Sequence, residues 1–201
     1  MKLIAHRGLY KIKKNQNTLE SFFNAINNTC YIGFECDVRQ TKDKKFIINH
    51  DAFYDDQIIR LTEFNKLKKQ NVLLLSNLLK INTNKIILLE IKDVDIDIKR
   101  FNKLLRKYKN KNIYVMSFHN RIINKLSKTE HSYKLGLLNY ILNNQDDYNY
   151  DFIGLLNNIV TNNQINEYLN KNIEVFIYGL LKTKKLKYGE KCYYIVDQFC
   201  L

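Results

Sequence analysis

Apolar residues run along this chain in two alternating rhythms. Short apolar runs ending in charged or polar residues read as strands. They fall at residues 2–5, Tyr31 to Val38, Lys45 to Asn49, Lys85 to Lys92, Ile113 to Met116, Tyr133 to Leu138, Phe152 to Leu155 and 173–178. Between them the spacing shifts to the helical period. Leu19, Phe22, Phe23 and Ile26 stand at i, i+3, i+4 and i+7, which predicts a helix over 18–28, with Asn17 as its cap and Glu20 completing a capping box. Phe101, Leu104, Leu105 and Tyr108 mark a helix over about 96–109, with further helices at Arg121 to Ser127, 162–170 and 180–187. The patterns over 61–69 and 76–81 are weaker, and an extended piece at 193–196 closes the chain.

Eight strands alternating with helices predict an α/β protein with a parallel sheet, and eight such units favour closure into a (β/α)8 barrel. The run Ile86-Ile87-Leu88-Leu89 is apolar on both faces, as a strand between a barrel interior and a helical layer should be. No linker or composition shift interrupts residues 1–201, so they are expected to form a single domain with a short insertion after the third strand.

The 201 residues are 45% hydrophobic and 26% charged, the balance of an ordinary globular chain. No apolar run approaches the roughly 20 residues of a membrane span, and the first residues already read as a strand. The expected location is therefore the cytoplasm. Cys30, Cys36, Cys192 and Cys200 have no CxxC or zinc spacing and are expected to be free thiols. The formal charge of +13 comes from Lys dispersed along the chain, with no compact basic block. That pattern argues against specific nucleic-acid binding but favours attraction of anionic substrates.

The chemistry collects where strands end. Glu35 and Asp37 stand at i, i+2 on one strand and so face the same side, with Cys36 turned to the helices. Paired carboxylates repel unless a hard cation lies between them. Glu90 and Lys92 repeat the spacing on the fourth strand. Glu90 can complete a three-carboxylate cation site, and Lys92 is left to meet an anion. His6 and His50 end the first and third strands, where they can act as an acid–base pair near neutral pH. Arg7 can fork onto a phosphate. His119 is expected to be structural, whereas Tyr178 can stack on a substrate group or pack in the core.

The combination His6-Arg7-Gly8, Asn17-Thr18 opening a helix, Glu35-x-Asp37-Val38, His50-Asp51, Glu90-Ile91-Lys92 and Ser117-Phe118 resembles the glycerophosphodiester phosphodiesterase family over roughly residues 2–118. The resemblance implies a TIM barrel that hydrolyses glycerophosphodiesters to glycerol 3-phosphate and an alcohol. It implies Mg²⁺ or Ca²⁺ on Glu35, Asp37 and Glu90, acid–base catalysis by His6 and His50, and a small-molecule phosphodiester held by Arg7 and Lys92. Gln16 stands where the family carries a glutamate. Tyr178 occupies the family's aromatic position after the last strand, and Asp197 is a loose match to its terminal acidic residue. Rival readings keep the barrel but change the substrate to a phospholipid headgroup or a glycan precursor. A further rival makes the chain a non-enzymatic basic protein that binds nucleic acid.

Overall fold

Why these runs become strands of one barrel is visible in their parity. The structure, a computed structural model, describes residues 1–67, 72–139, 150–180 and 191–197. The barrel strands are β1 (Lys2–Ala5), β2 (Tyr31–Gln40), β7 (Ile86–Ile91), β8 (Ile113–Ser117), β9 (Lys134–Asn139), β10 (Phe152–Leu156), β11 (Glu174–Leu180) and β12 (Tyr193–Val196). Neighbours in this series are parallel, and β12 pairs with β1 while β1 pairs with β2, which closes the ring. Along each strand alternate residues separate into two apolar layers. Ile4, Ile86, Leu88, Tyr114, Met116, Leu138, Phe152, Phe176 and Ile195 fill the interior. Leu3, Ala5, Phe34, Cys36, Val38, Ile87, Leu89 and Ile91 face outward into the layer under the helices.

The helices are α1 (Leu19–Asn27), α2 (Phe64–Leu67), α3 (Leu75–Leu78), α4 (Ile98–Arg106), α5 (Asn120–Ser127) and α6 (Asn162–Asn170). α4 buries Phe101 and Leu105 from its expected face and α5 buries Ile122, Ile123 and Leu126, whereas on α1 only Phe22 of the expected face is fully buried, beside Ala25, and Leu19 and Phe23 are exposed. The α1 cap differs from expectation. Thr18, not Asn17, is the N-cap, and the reciprocal partner is Ser21 rather than Glu20. Asn17 has φ 56° and a different task.

The strand expected at 45–49 departs from the predicted order. β3 (Phe46–Ile48) runs antiparallel to the end of β2, pairing Val38 with Ile48 and Gln40 with Phe46, and lies outside the ring. The few residues between β2 and β3 allow a hairpin but not a parallel crossover, which needs a dozen or more. The eighth barrel strand is instead β12, the piece read as a terminal extension. The stretch that follows β3 folds as β4 (Phe53–Tyr54) paired with β5 (Gln57–Ile58), then α2, and β6 (Leu73–Leu74) paired with β3. α3 is shorter than the weak pattern over 76–81 suggested. The helix expected at 180–187 and Cys200 lie outside the described residues, apart from Leu180, which ends β11. Cys30, Cys36 and Cys192 are free. Among the described residues no helix is long and apolar enough to cross a membrane.

The interior is filled by few, large side chains, so glycines set its limits. A Cβ built on Gly136 would overlap the Phe152 ring. Gly136→Ala should therefore destabilise the fold by about 1–3 kcal/mol, the usual range for overpacking. Thermal melting would read this as roughly 2–4 °C per kcal/mol. An unchanged midpoint would show that the Phe152 layer is not tightly filled.

Candidate active site

The interior parity that carries apolar residues up each strand delivers polar ones at the carboxyl-terminal rim. Ile4 leads to His6, Gly33 to Glu35 and Asp37, Leu88 to Glu90 and Lys92, and Ile195 to Asp197. Glu35, Asp37 and Glu90 are buried, and one carboxylate oxygen from each lies within 4.8 Å of the others. His50 reaches the same rim by another route. β2 overshoots the barrel, and β3 returns antiparallel, so that the Asn49 amide donates to the Asp37 carbonyl and His50 follows at the rim.

Cations compensate part of this negative charge. Lys92 Nζ lies 2.6 Å from Glu90 Oε1 and 3.2 Å from Asp37 Oδ1, and Arg7 Nε lies 3.2 Å from Asp37 Oδ2. Burial pushes all three carboxyl groups toward their neutral forms. For Glu35 the nearby charge of Asp37 adds to it, and its pKa rises well above the usual carboxylate range. Glu90 is also raised, chiefly by burial, with Lys92 opposing. At Asp37 the effect of burial is outweighed by Lys92, Arg7 and the Asn17 hydrogen bond, so its pKa is lowered. Lys92, although burial disfavours its charge, is held above its ordinary value by Asp37 and Glu90.

Glu35 Oε1 is buried without a hydrogen-bond partner, and Asp37 Oδ1 has only its 3.2 Å ion pair with Lys92. Glu35 Oε2 accepts the Arg7 main-chain N–H at 2.9 Å. An all-oxygen set with unsatisfied buried lone pairs fits a hard divalent cation such as Mg²⁺ or Ca²⁺.

Each histidine leans on a carboxylate. His6 Nδ1 is 2.8 Å from Asp197 Oδ1, and its Nε2 is 3.8 Å from Glu35 Oε2. Burial works against its charged form, but the Asp197 hydrogen bond and the Glu35 charge prevail, and its pKa is raised above 6.5. His50 Nδ1 is 2.8 Å from Asp51 Oδ1. There desolvation prevails over Asp51, and the pKa is lowered. Opposite the charges, the rim presents Met116, Phe118, Leu138, Tyr178 and Ile195, enclosing with the polar groups a cavity of about 190 Å³. Tyr178 stacks edge-on against Phe118 and donates its hydroxyl to the Asn139 carbonyl at 3.0 Å. His6, Arg7, Glu35, Asp37, His50, Glu90, Lys92 and Tyr178 thus gather at one end of the barrel. His119 caps nothing with its ring, which lies 3.2 Å from the Lys92 carbonyl.

Several participants escaped sequence reasoning. Asn17, read as a helix cap, donates its side-chain amide to Asp37 Oδ2 at 2.8 Å. Arg39 donates Nε and Nη2 to the His50 carbonyl at 2.9 and 2.8 Å and pairs through Nη1 with Asp93 at 2.7 Å, which pins the His50 segment. Its i+2 spacing from Asp37 is the signal that could have found it. Tyr10 donates to Asp197 Oδ1 at 3.0 Å, and Gln16 bridges Tyr10 and Arg7.

Residues 6–69 match the model of the glycerophosphoryl diester phosphodiesterase family. No curated protein matches the chain. Among solved structures, the glycerophosphodiester phosphodiesterase of Thermotoga maritima is similar, with TM-score 0.77 at 21% identity, covering 98% of this chain and 94% of its own. One from Parabacteroides distasonis gives TM-score 0.77 at 18% identity, covering 98% and 92%. A phosphodiesterase of Oleispira antarctica, solved with its product sn-glycerol-3-phosphate, gives TM-score 0.83 at 14% identity, covering 99% and 93%. The resemblance read from the sequence stands, by sequence over residues 6–69 and by fold along nearly the whole chain. The enzyme class it implied, a phosphoric diester hydrolase, is the class of these matches.

The His6–Asp197 contact makes a direct prediction. Asp197→Asn removes the leading influence that raises the His6 pKa, so the His6 titration midpoint followed by NMR should fall relative to wild type. An unchanged midpoint would contradict the pairing.

Proposed function

We propose that this chain is a divalent-cation-dependent phosphodiesterase that hydrolyses glycerophosphodiesters to glycerol 3-phosphate and an alcohol. The observation that carries the reading is the buried triad Glu35, Asp37 and Glu90, with Glu35 Oε1 left unsatisfied, set between two carboxylate-backed histidines. Glu35, Asp37 and Glu90 are the residues that would hold Mg²⁺ or Ca²⁺, which supplies Lewis-acid polarisation of the phosphoryl group and neutralises its charge.

The protein's own groups account for the rest. Arg7, anchored through Asp37 and Gln16, presents its guanidinium to phosphate oxygens. Lys92 neutralises Asp37 and Glu90 in this structure and becomes available to a phosphate oxygen once that charge is supplied otherwise. Of His6 and His50, one accepts the proton of the attacking hydroxyl and the other gives a proton to the departing alkoxide. Asp197 and Asp51 fix the ring orientations that this exchange needs. The aromatic and aliphatic wall of Phe118, Leu138 and Tyr178 excludes water from one side and fits a small polyol.

The test is turnover of glycerophosphocholine and glycerophosphoglycerol with Mg²⁺ or Ca²⁺ and with chelator. Activity should require the divalent ion, and His6→Ala and His50→Ala should each reduce kcat by about 10²-fold or more. Cleavage that survives chelator, or near-normal turnover in either histidine variant, would refute the assignment.

A further inference from the structure

The catalytic cavity is not the only space at the rim. Arg7 and His50 line both it and a second, larger space of about 700 Å³ on the side of the β1–α1 loop. Most polar groups in the wall of that second space are already engaged. Gln16 accepts from Arg7, Asn17 serves Asp37, Asn49 donates to the carbonyls of Asp51 and Phe53, and Asp51 holds His50.

Lys13 and Lys14 differ from these. They sit on the short 3-10 turn Lys13–Asn15, are exposed, and make no ion pair or side-chain hydrogen bond among the described residues. The wall therefore carries three cations, Arg7, Lys13 and Lys14, against a single acid, Asp51, whose Oδ1 is 2.8 Å from His50 Nδ1. Two uncommitted ammonium groups beside a reaction centre set up a positive local potential. Cationic groups entering that space are repelled and anionic ones are attracted.

A phosphodiester has two ester arms. An arm in the 190 Å³ cavity meets Phe118, Leu138 and Tyr178, a space and lining suited to an uncharged glycerol. The other arm leads past Arg7 and His50 into the basic space.

We propose that this space is a subsite for an anionic leaving group, so that the preferred substrate is a glycerophosphodiester whose departing alcohol itself bears a phosphate. The inference rests on the phosphodiesterase reading and narrows its substrate class. In the reaction, the phosphorus–oxygen bond to that alcohol breaks and a phosphorus–oxygen bond to the oxygen of water forms. The alcohol oxygen takes up a proton, and no redox change occurs. Lys13 and Lys14 meet the remote phosphate and take no part in the bond changes.

The experiment compares kcat/KM at low salt for glycerophosphocholine, glycerophosphoglycerol and glycerophosphoglycerol phosphate. The values should rise in that order, by about 10-fold or more from first to last, the scale of two exposed ion pairs replacing a repulsion. Raising salt should compress the range, because exposed charges are screened. In the Lys13→Gln/Lys14→Gln double variant the ratio should fall toward one, whereas in Lys44→Gln/Lys45→Gln, on the β2–β3 turn, it should persist. Equal or faster turnover of glycerophosphocholine by wild type, or a preference that survives in the Lys13/Lys14 variant, would overturn the subsite. If no diester is cleaved, the phosphodiesterase reading fails, and calorimetric binding of glycerophosphoglycerol phosphate decides the subsite separately. Tighter binding to wild type than to the Lys13/Lys14 variant supports it, and equal or absent binding overturns it.

Discussion

Three carboxylates buried with oxygens within 4.8 Å of one another are the constraint around which this molecule is built. Charges so close and so desolvated are costly, and removing one partner of a buried ion pair typically costs about 3–5 kcal/mol. The surrounding groups divide that cost. Lys92 spans Glu90 and Asp37, Arg7 and Asn17 brace Asp37, and the Arg7 main-chain N–H satisfies one oxygen of Glu35. What they leave unmet, the buried Oε1 of Glu35, is what a divalent cation would satisfy.

The barrel supplies the placement. Because strand side chains alternate, an interior residue near the bottom of a strand commits the residues two and four further on to the same side. Closure of β12 onto β1 then brings Asp197 beside His6, from opposite ends of the chain. His50 arrives on a hairpin that leaves the ring and comes back. Arg39, braced by Asp93, donates two hydrogen bonds to its carbonyl and so ties a residue on a connection to the barrel strand β2.

The layered barrel, the buried face of α4 and most of the rim were legible because they follow from periods of 2 and 3.6 with an abrupt polar ending, whereas on α1 Leu19 and Phe23 share the apolar spacing but face solvent. Glu35, Asp37, Glu90 and Lys92 were legible in this way. Strand direction was not, since Phe46-Ile47-Ile48 reads identically either way. Counting that segment as a barrel strand displaced Tyr193–Val196 into an apparent extension, so one misassigned element accounts for both departures. Asn17 was missed because a polar residue before a helix has a local use as a cap, and its long-range partner Asp37 leaves no mark in the local pattern. Arg39 was missed for the same reason, although its parity with Asp37 was available.

Cation binding by the triad can be measured apart from turnover. Titration calorimetry of the wild-type chain with Mg²⁺ and Ca²⁺ should show one ion bound per chain, with binding lost or severely weakened in Asp37→Asn. Absence of binding in wild type, or unchanged binding in Asp37→Asn, would contradict it.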